Sequence, residues 1–322
     1  MPQARPLGLT RRSQPTLRLQ TYNRSMLSEG FLQSLRNLRL NAPRRRIGTL
    51  TGERRSVKRG RSVEFADYRN YTPGDDPRRV DWNIFARLER PYIKLFEDEE
   101  DLTTHILLDD SPSMFWMGDD EAEVHRVSPK WLCAAQLAAA LGYVALAAGD
   151  KVVIEASSFQ RFGPKRGVAA AGALISFVEN ISAHRTTHHH SINRWLKRYA
   201  LDARPGLCIV ISDLLDEAGY IDGFNALGGS RLDVNLLHTL CPDELDPQFS
   251  GDLRLKDVET AGLQDMSMDD QVMNQYRQRL SAWTEETAAN VRRRGGRYHL
   301  TDTSRPIEEI VLKDLRREEW LV

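Results

Sequence analysis

The sequence is poor in cysteine, has no excess of either charge and contains no long uninterrupted apolar run. Three cysteines in 322 residues, Cys133, Cys208 and Cys241, are too few and too scattered for a disulfide framework. We therefore expect reduced thiols and a cytoplasmic location. The most apolar stretch, residues 132–149, is rich in alanine, interrupted by Gln136 and flanked by charged residues. This pattern favours a helix buried in a folded domain over a membrane span.

The charges balance overall but are unevenly distributed along the chain. Lysine and arginine together number 45, as do aspartate and glutamate, yet residues 1–62 hold 15 basic and only two acidic residues. A basic segment beside an acidic body is more typical of internal charge pairing or of a solvated tail than of nucleic-acid binding. Nucleic acid is therefore not expected as the partner, although a basic contact through residues 44–61 stays open.

The first hundred residues divide into three segments by composition. Residues 1–25 are rich in arginine and lack the apolar core of a signal peptide, which leaves a transit peptide or, preferably, a disordered extension. Residues 26–59 predict an amphipathic helix followed by a basic connector. Residues 60–100 mix aromatic, arginine and acidic side chains around a Pro-Gly turn. This mixture predicts a small appended region held by arginine–carboxylate pairs.

From residue 101 to residue 322 short apolar runs alternate with helical patterns. This alternation is typical of a doubly wound α/β fold, in which helices cover both faces of a mostly parallel sheet. A polar hairpin over residues 251–268 is the exception. The predicted strands lie at residues 106–108, 151–157, 207–212, 234–240 and 296–300, and the predicted helices at 130–148, 168–182, 216–228, 269–294 and 306–317.

Two of the predicted strands end in carboxylates. Asp109, Ser111 and Ser113 leave the first strand at alternate positions, and Asp213 ends a later strand. Ligands of an open parallel sheet bind beyond the carboxyl ends of its strands, so we expect these side chains to converge there. Their oxygen atoms suit a hard divalent cation such as Mg2+.

The order of these side chains resembles the metal-ion-dependent adhesion site of von Willebrand factor A domains. There a D-x-S-x-S turn, a threonine from a later loop and a strand-end aspartate bind Mg2+, leaving one coordination position for an acidic residue of a protein partner. Thr186 is preferred to Thr187 as the threonine, because the next residue then takes the loop position before the following helix. The resemblance implies a Mg2+ site made of Asp109, Ser111, Ser113, Thr186 and Asp213.

The wider sequence resembles the prokaryotic family called domain of unknown function 58. The resemblance rests on EFADYR at residues 64–69, YTPGDDPRRVDW at 71–82, LLDDSPSM at 107–114, and the later SDLLD and LKDVETAG segments. It implies a soluble member without membrane helices, a MoxR-type AAA+ ATPase as protein partner, and a role in protein assembly, maturation, metal insertion or stress response. The sequence thus predicts a non-enzymatic, Mg2+-dependent protein-interaction module.

Two alternative functions are considered, one that uses the strand-end aspartates and one that uses the histidines beside Thr186. A Mg2+-dependent phosphohydrolase also uses strand-end aspartates. The haloacid-dehalogenase pattern, however, requires a carboxylate where this chain has Ser111, and no G-x-x-x-x-G-K phosphate loop occurs. Zn2+ binding by His184 and the histidines at 188–190 is the other possibility. Adjacent histidines on a helix point in different directions, so a solvated helix start explains them better.

Overall fold

Strands and helices alternate through most of the chain. The computed structural model describes residues 26–42, 64–72, 75, 80–97, 103–116, 128–183, 191–247, 251–256 and 263–322. The chain divides into two compact units, one comprising residues 1–43 and 102–322 and the other residues 44–101. The strands are β1 (Glu64–Asn70), β2 (Tyr92–Glu97), β3 (Thr103–Leu108), β4 (Lys151–Ala156), β5 (Arg161–Arg166), β6 (Gly206–Ser212), β7 (Leu232–Leu240), β8 (Gly251–Lys256), β9 (Leu263–Met268) and β10 (Tyr298–Asp302). The α-helices are α1 (Glu29–Leu35), α2 (Trp82–Leu88), α3 (Pro129–Ala147), α4 (Ala171–Ala183), α5 (Ile192–Asp202), α6 (Ile221–Gly229), α7 (Pro242–Leu245), α8 (Asp270–Arg293), α9 (Ile307–Glu309) and α10 (Leu315–Arg317).

The larger unit is built on a six-stranded sheet with the order β10-β7-β6-β3-β4-β5. The first five strands run parallel, and β5 pairs antiparallel with β4 at one edge. The predicted α/β class with a mostly parallel sheet is confirmed. Its assignment to the von Willebrand factor A type stays a prediction.

Helices cover both faces of this sheet. Ile106 and Leu108 of β3 belong to an apolar core that includes residues of α1, α3, α4, α9 and α10. Leu107 belongs to a second core on the opposite face, shared with α5, α6 and α8. Successive side chains of a strand point to opposite faces, so a strand buried on both sides is apolar throughout. This explains the continuous apolar runs in the sequence.

Helix α3 is apolar all around because it lies inside the larger unit. Ser128 caps its N-terminus, accepting a hydrogen bond from the Trp131 backbone N–H, and Pro129 occupies its first turn. By length and composition α3 is the one described helix that could cross a membrane. Most of it is buried by the sheet and the neighbouring helices.

The smaller unit contains an antiparallel pair and a short helix. Strands β1 and β2 pair with a bulge between Phe65 and Asp67, and Asp81 caps α2 through its side chain. Arg69 Nη2 donates to Asp75 Oδ1 at 2.8 Å, an ion pair of the kind the sequence predicts for this region. The polar hairpin is also confirmed, since β8 and β9 pair antiparallel.

Candidate metal centre

The two strands that are followed by Asp109 and Asp213, β3 and β6, are direct neighbours in the sheet. Strand β3 pairs with β6 so that Leu108 lies opposite Ile211, and the Asp109 backbone N–H donates to the Ile211 carbonyl at 2.9 Å. Asp109 and Asp213 therefore leave the same edge of the sheet side by side. This is the arrangement expected from the carboxyl ends of adjacent parallel strands.

The Asp109 carboxylate is buried and fixed by hydrogen bonds to both oxygen atoms. Oδ1 accepts the Ser111 backbone N–H at 2.9 Å, and Oδ2 accepts the Ser212 hydroxyl at 2.6 Å. Ser157 Oγ lies 3.3 Å from Oδ1. Burial, followed by the negative charge of Asp213, raises the pKa of Asp109 to about 6. The site therefore disfavours a second bare negative charge.

The two serines of the turn bring their hydroxyls together. A short 3-10 turn over Pro112–Phe115 follows Ser111 and places Ser111 Oγ 3.0 Å from Ser113 Oγ. Ser113 is buried and Ser111 is half-buried, so this pair lies between the buried Asp109 and the surface. Two hydroxyls and a carboxylate form the type of oxygen donor set that Mg2+ accepts.

Asp110 is directed toward the neighbouring strand β4. Its Oδ1 accepts the Ser157 hydroxyl at 2.5 Å and the Ser158 backbone N–H at 2.8 Å. Consecutive residues at a strand end point in opposite directions, as the sequence predicts for Asp109 and Asp110. Asp110 Oδ2 is buried and has no hydrogen-bond partner among the described residues. Asp110 thus adds a second buried acid beside Asp109.

Asp213 is engaged by a buried lysine. Lys130 Nζ donates to Asp213 Oδ2 at 2.7 Å and to Glu244 Oε1 at 2.6 Å. Asp213 Oδ1 accepts the Leu215 backbone N–H at 3.1 Å. Burial alone would lower the pKa of Lys130, but the charges of Asp213 and Glu244 more than reverse this effect and raise it. Lys130 is therefore a permanent ammonium at the side of the site.

A neutral histidine supports the backbone of Asp213. His238 Nε2 lies 3.1 Å from the Asp213 carbonyl, and Nδ1 lies 2.9 Å from the Tyr298 hydroxyl. Burial lowers the pKa of His238 to about 4, so the ring is neutral near pH 7. A carbonyl can only accept, so Nε2 carries the proton and Nδ1 accepts from Tyr298. The residue is fixed in one tautomer.

The remaining candidates from the sequence are two threonines, four histidines and the three cysteines. Thr186, Thr187, His184 and the histidines at 188–190 fall outside the described residues. Within the described ranges no three His, Cys, Asp or Glu side chains are arranged to hold a metal ion, so a cation here depends on the serine hydroxyls. Cys133, Cys208 and Cys241 are free thiols.

Comparison with known protein families identifies the family of this chain. A model described as "Protein of unknown function DUF58" matches residues 67–286, about two thirds of the chain. The chain belongs to the DUF58 family. The match extends from the smaller unit through the candidate metal centre to α8, so the resemblance to domain of unknown function 58 is confirmed.

Proteins similar to this DUF58 chain occur in mycobacteria. It is 24% identical over 278 residues to the uncharacterized protein Rv1480 of Mycobacterium tuberculosis, and equally to Mb1516 of Mycobacterium bovis. In each case the match covers 80% of both chains.

Two solved structures resemble the chain at a lower level. An aerotolerance-related membrane protein from Bacteroides fragilis matches with a TM-score of 0.38 and 16% identity, covering 68% of this chain and 98% of that one. BatB from Bacteroides thetaiotaomicron matches with a TM-score of 0.35 and 14% identity, covering 67% and 98%. Values of this size describe a partial resemblance.

Proposed function

We propose that this DUF58 protein is a Mg2+-dependent protein-interaction module of the von Willebrand factor A type. Asp109, Ser111 and Ser113 bind the ion most directly, and Thr186 and Asp213 act directly or through water. A carboxylate from a protein partner takes the remaining coordination position. The proposed partner is a MoxR-type AAA+ ATPase, in cytoplasmic protein assembly, maturation or stress response.

The charge imbalance at the end of β3 and β6 carries the proposal. Four carboxylates are buried in this region, those of Asp109, Asp110, Asp213 and Glu244, but the one buried ammonium, that of Lys130, contacts only the last two of them among the described residues. Lys130 contacts Asp213 and Glu244, and among the described residues no lysine or arginine forms an ion pair with Asp109. A buried carboxylate without a cation is costly. A divalent ion held by Asp109 and the serine hydroxyls supplies the missing positive charge.

The residues of the turn also favour binding over hydrolysis. A phosphohydrolase that uses Asp109 as its nucleophile needs a general acid or base within reach of the transferred group. Ser111 stands at the position where such enzymes carry that second carboxylate. Asp110 is hydrogen-bonded to the end of β4 instead. Partner capture is therefore the better use of the site.

Magnesium binding by the purified protein tests the metal site. Isothermal titration with Mg2+ should give one site in the wild-type protein and none in Asp109→Ala. The matched control is Asp302→Ala. Asp302 also ends a parallel strand of the sheet and accepts the backbone N–H of the residue two positions later, Ser304, but on β10. Equal Mg2+ binding by wild type and Asp109→Ala would refute the site.

Partner binding tests the function. A MoxR-type ATPase should be retained on the immobilised protein in Mg2+, and lost with chelator or with Asp109→Ala but not with Asp302→Ala. If the ATPase is retained equally well in chelator and on Asp109→Ala, the interaction does not depend on the metal. Mg2+-dependent hydrolysis of para-nitrophenyl phosphate that disappears in Asp109→Ala would establish the phosphohydrolase instead.

A further inference from the structure

Lys130 is placed where an ammonium ion is unusual. It is the second residue of α3, its side chain is only 1% exposed, and its Nζ lies between the carboxylates of Asp213 and Glu244. Its two contacts are 2.7 and 2.6 Å long. Buried ion pairs add little net stability compared with apolar side chains of similar size. The position of Lys130 therefore calls for a reason besides folding.

Lys130 acts on one of the two strand-end aspartates only. It occupies Oδ2 of Asp213, while the Leu215 backbone N–H occupies Oδ1. Asp109 receives its hydrogen bonds from Ser111 and Ser212, which are neutral groups. A divalent cation that binds Asp213 has to compete with the ammonium already in contact with its Oδ2, whereas among the described residues no lysine or arginine contacts Asp109. The two carboxylates are thus unequal ligands.

We propose that Lys130 keeps Asp213 from binding the cation directly, so that the bound ion retains positive charge for a carboxylate of the partner. This inference rests on the proposed Mg2+ site. With Asp109 as the single direct carboxylate, the ion keeps a net charge of about +1 toward an incoming acidic side chain. A second direct carboxylate would neutralise it and fill the position that the partner needs.

Removing the ammonium should therefore tighten metal binding and weaken carboxylate binding. In Lys130→Met, titration calorimetry should show an affinity for Mg2+ at least about ten-fold higher than in wild type, because Asp213 becomes a direct ligand. Mn2+, which takes the same oxygen ligands, reports the coordination sphere through water-proton relaxation. The Mn2+-bound variant should lose one exchangeable water, and acetate should bind to it several-fold more weakly.

The matched control is Lys197→Met. Lys197 forms an ion pair of 2.8 Å with Asp222, but this pair is exposed to solvent on α5 and α6. Its removal deletes one lysine charge from the same unit without touching Asp213. Mg2+ affinity, bound water and acetate affinity should all match the wild-type values.

A second variant separates the effect of the charge from a folding defect. Lys130→Met leaves Glu244 buried without its cation, so Lys130→Met/Glu244→Gln removes both charges of that pair. Near-ultraviolet circular dichroism in chelator checks its fold, and it should show the same tighter Mg2+ binding and lost water. Unchanged or weaker Mg2+ binding in the folded variant overturns the role of Lys130 and leaves the metal site standing. Absence of Mg2+ binding in wild type and variants alike overturns the proposed function itself.

Discussion

The burial of His105 predicts how the stability of the protein depends on pH. His105 lies in β3, is 1% exposed, and has its Nδ1 2.6 Å from the Tyr199 hydroxyl. Burial lowers the pKa of His105 from 6.5 to about 4. Between these values the unfolded chain binds a proton that the folded protein does not, so stability is present above pH ~6.5 and is lost as the pH falls toward ~4. At ~1.4 kcal/mol per pKa unit, the loss is about 3 kcal/mol.

Urea unfolding at about pH 7.5 and about pH 4.5, in the presence of chelator, measures this loss. The reference variant is His105→Phe/Tyr199→Phe, which removes both partners and leaves no buried hydroxyl unpaired. Wild type should lose about 2 to 3 kcal/mol more than this variant between the two pH values, since all other titrating groups are common to both. Equal losses would refute the assignment of a neutral, buried His105. His105→Phe alone is unsuitable, because it orphans the Tyr199 hydroxyl.

Three further substitutions, one of them a control, probe the junction of β3 and β6 and the charge of the site. Gly206→Ala should lower the free energy of unfolding in urea by at least about 2 kcal/mol, because an added Cβ would lie 2.0 Å from the Thr103 carbonyl oxygen. Gly172→Ala, whose Cβ meets nothing within 4 Å, should be neutral or up to about 1 kcal/mol stabilising. In chelator, Asp109→Asn should raise the melting temperature, because it removes the repulsion between two buried carboxylates, Asp109 and Asp213; it should also abolish any rise caused by Mg2+. A lower melting temperature of Asp109→Asn in chelator would show that repulsion between Asp109 and Asp213 does not destabilise the protein.

The sheet of the larger unit could be predicted because its strands are buried on both faces. An apolar run such as Ile106–Leu108 has no other plausible place in a protein that is otherwise rich in charge. Strand β5 could not be predicted in this way. It is an antiparallel edge strand in which Phe162 is the one buried residue, and it contains Pro164. Edge strands tolerate proline and charge, so their sequences carry little periodic signal.

The predicted start of α6 was wrong for a tertiary reason. Helical periodicity begins near residue 216, but the helix starts at Ile221. Asp216 is instead held in a turn, where its carboxylate accepts the Ala218 backbone N–H at 2.8 Å and also the Ile192 backbone N–H at the start of α5. These bonds hold Asp216 in the turn before α6, so the helix begins only after it. Local pattern alone does not show such a contact.

The polar surroundings of the two aspartates were predictable only in part. The sequence shows where apolar strands end, and it therefore predicts the positions of Asp109, Ser111, Ser113 and Asp213. The partners of Lys130, by contrast, lie 83 and 114 residues away along the chain. In the sequence Lys130 is only a polar residue at the edge of an apolar helix. Its burial follows from the packing of α3 against the sheet, which fixes where the first turn of the helix lies.

The backbone conformation of Leu214, beside the site, could not be predicted from sequence patterns. Its backbone has a φ of 55°, a left-handed conformation that normally favours glycine and costs a leucine about 1 kcal/mol. Two features offset this cost. The side chain is buried in the core shared by α5, α6 and α8, and the backbone N–H donates to Ser212 Oγ at 2.9 Å. Ser212 Oγ in turn donates to Asp109 Oδ2 at 2.6 Å. The strained turn after β6 therefore orients the carboxylate that follows β3, and the conflict between local preference and observed conformation coincides with the candidate metal centre.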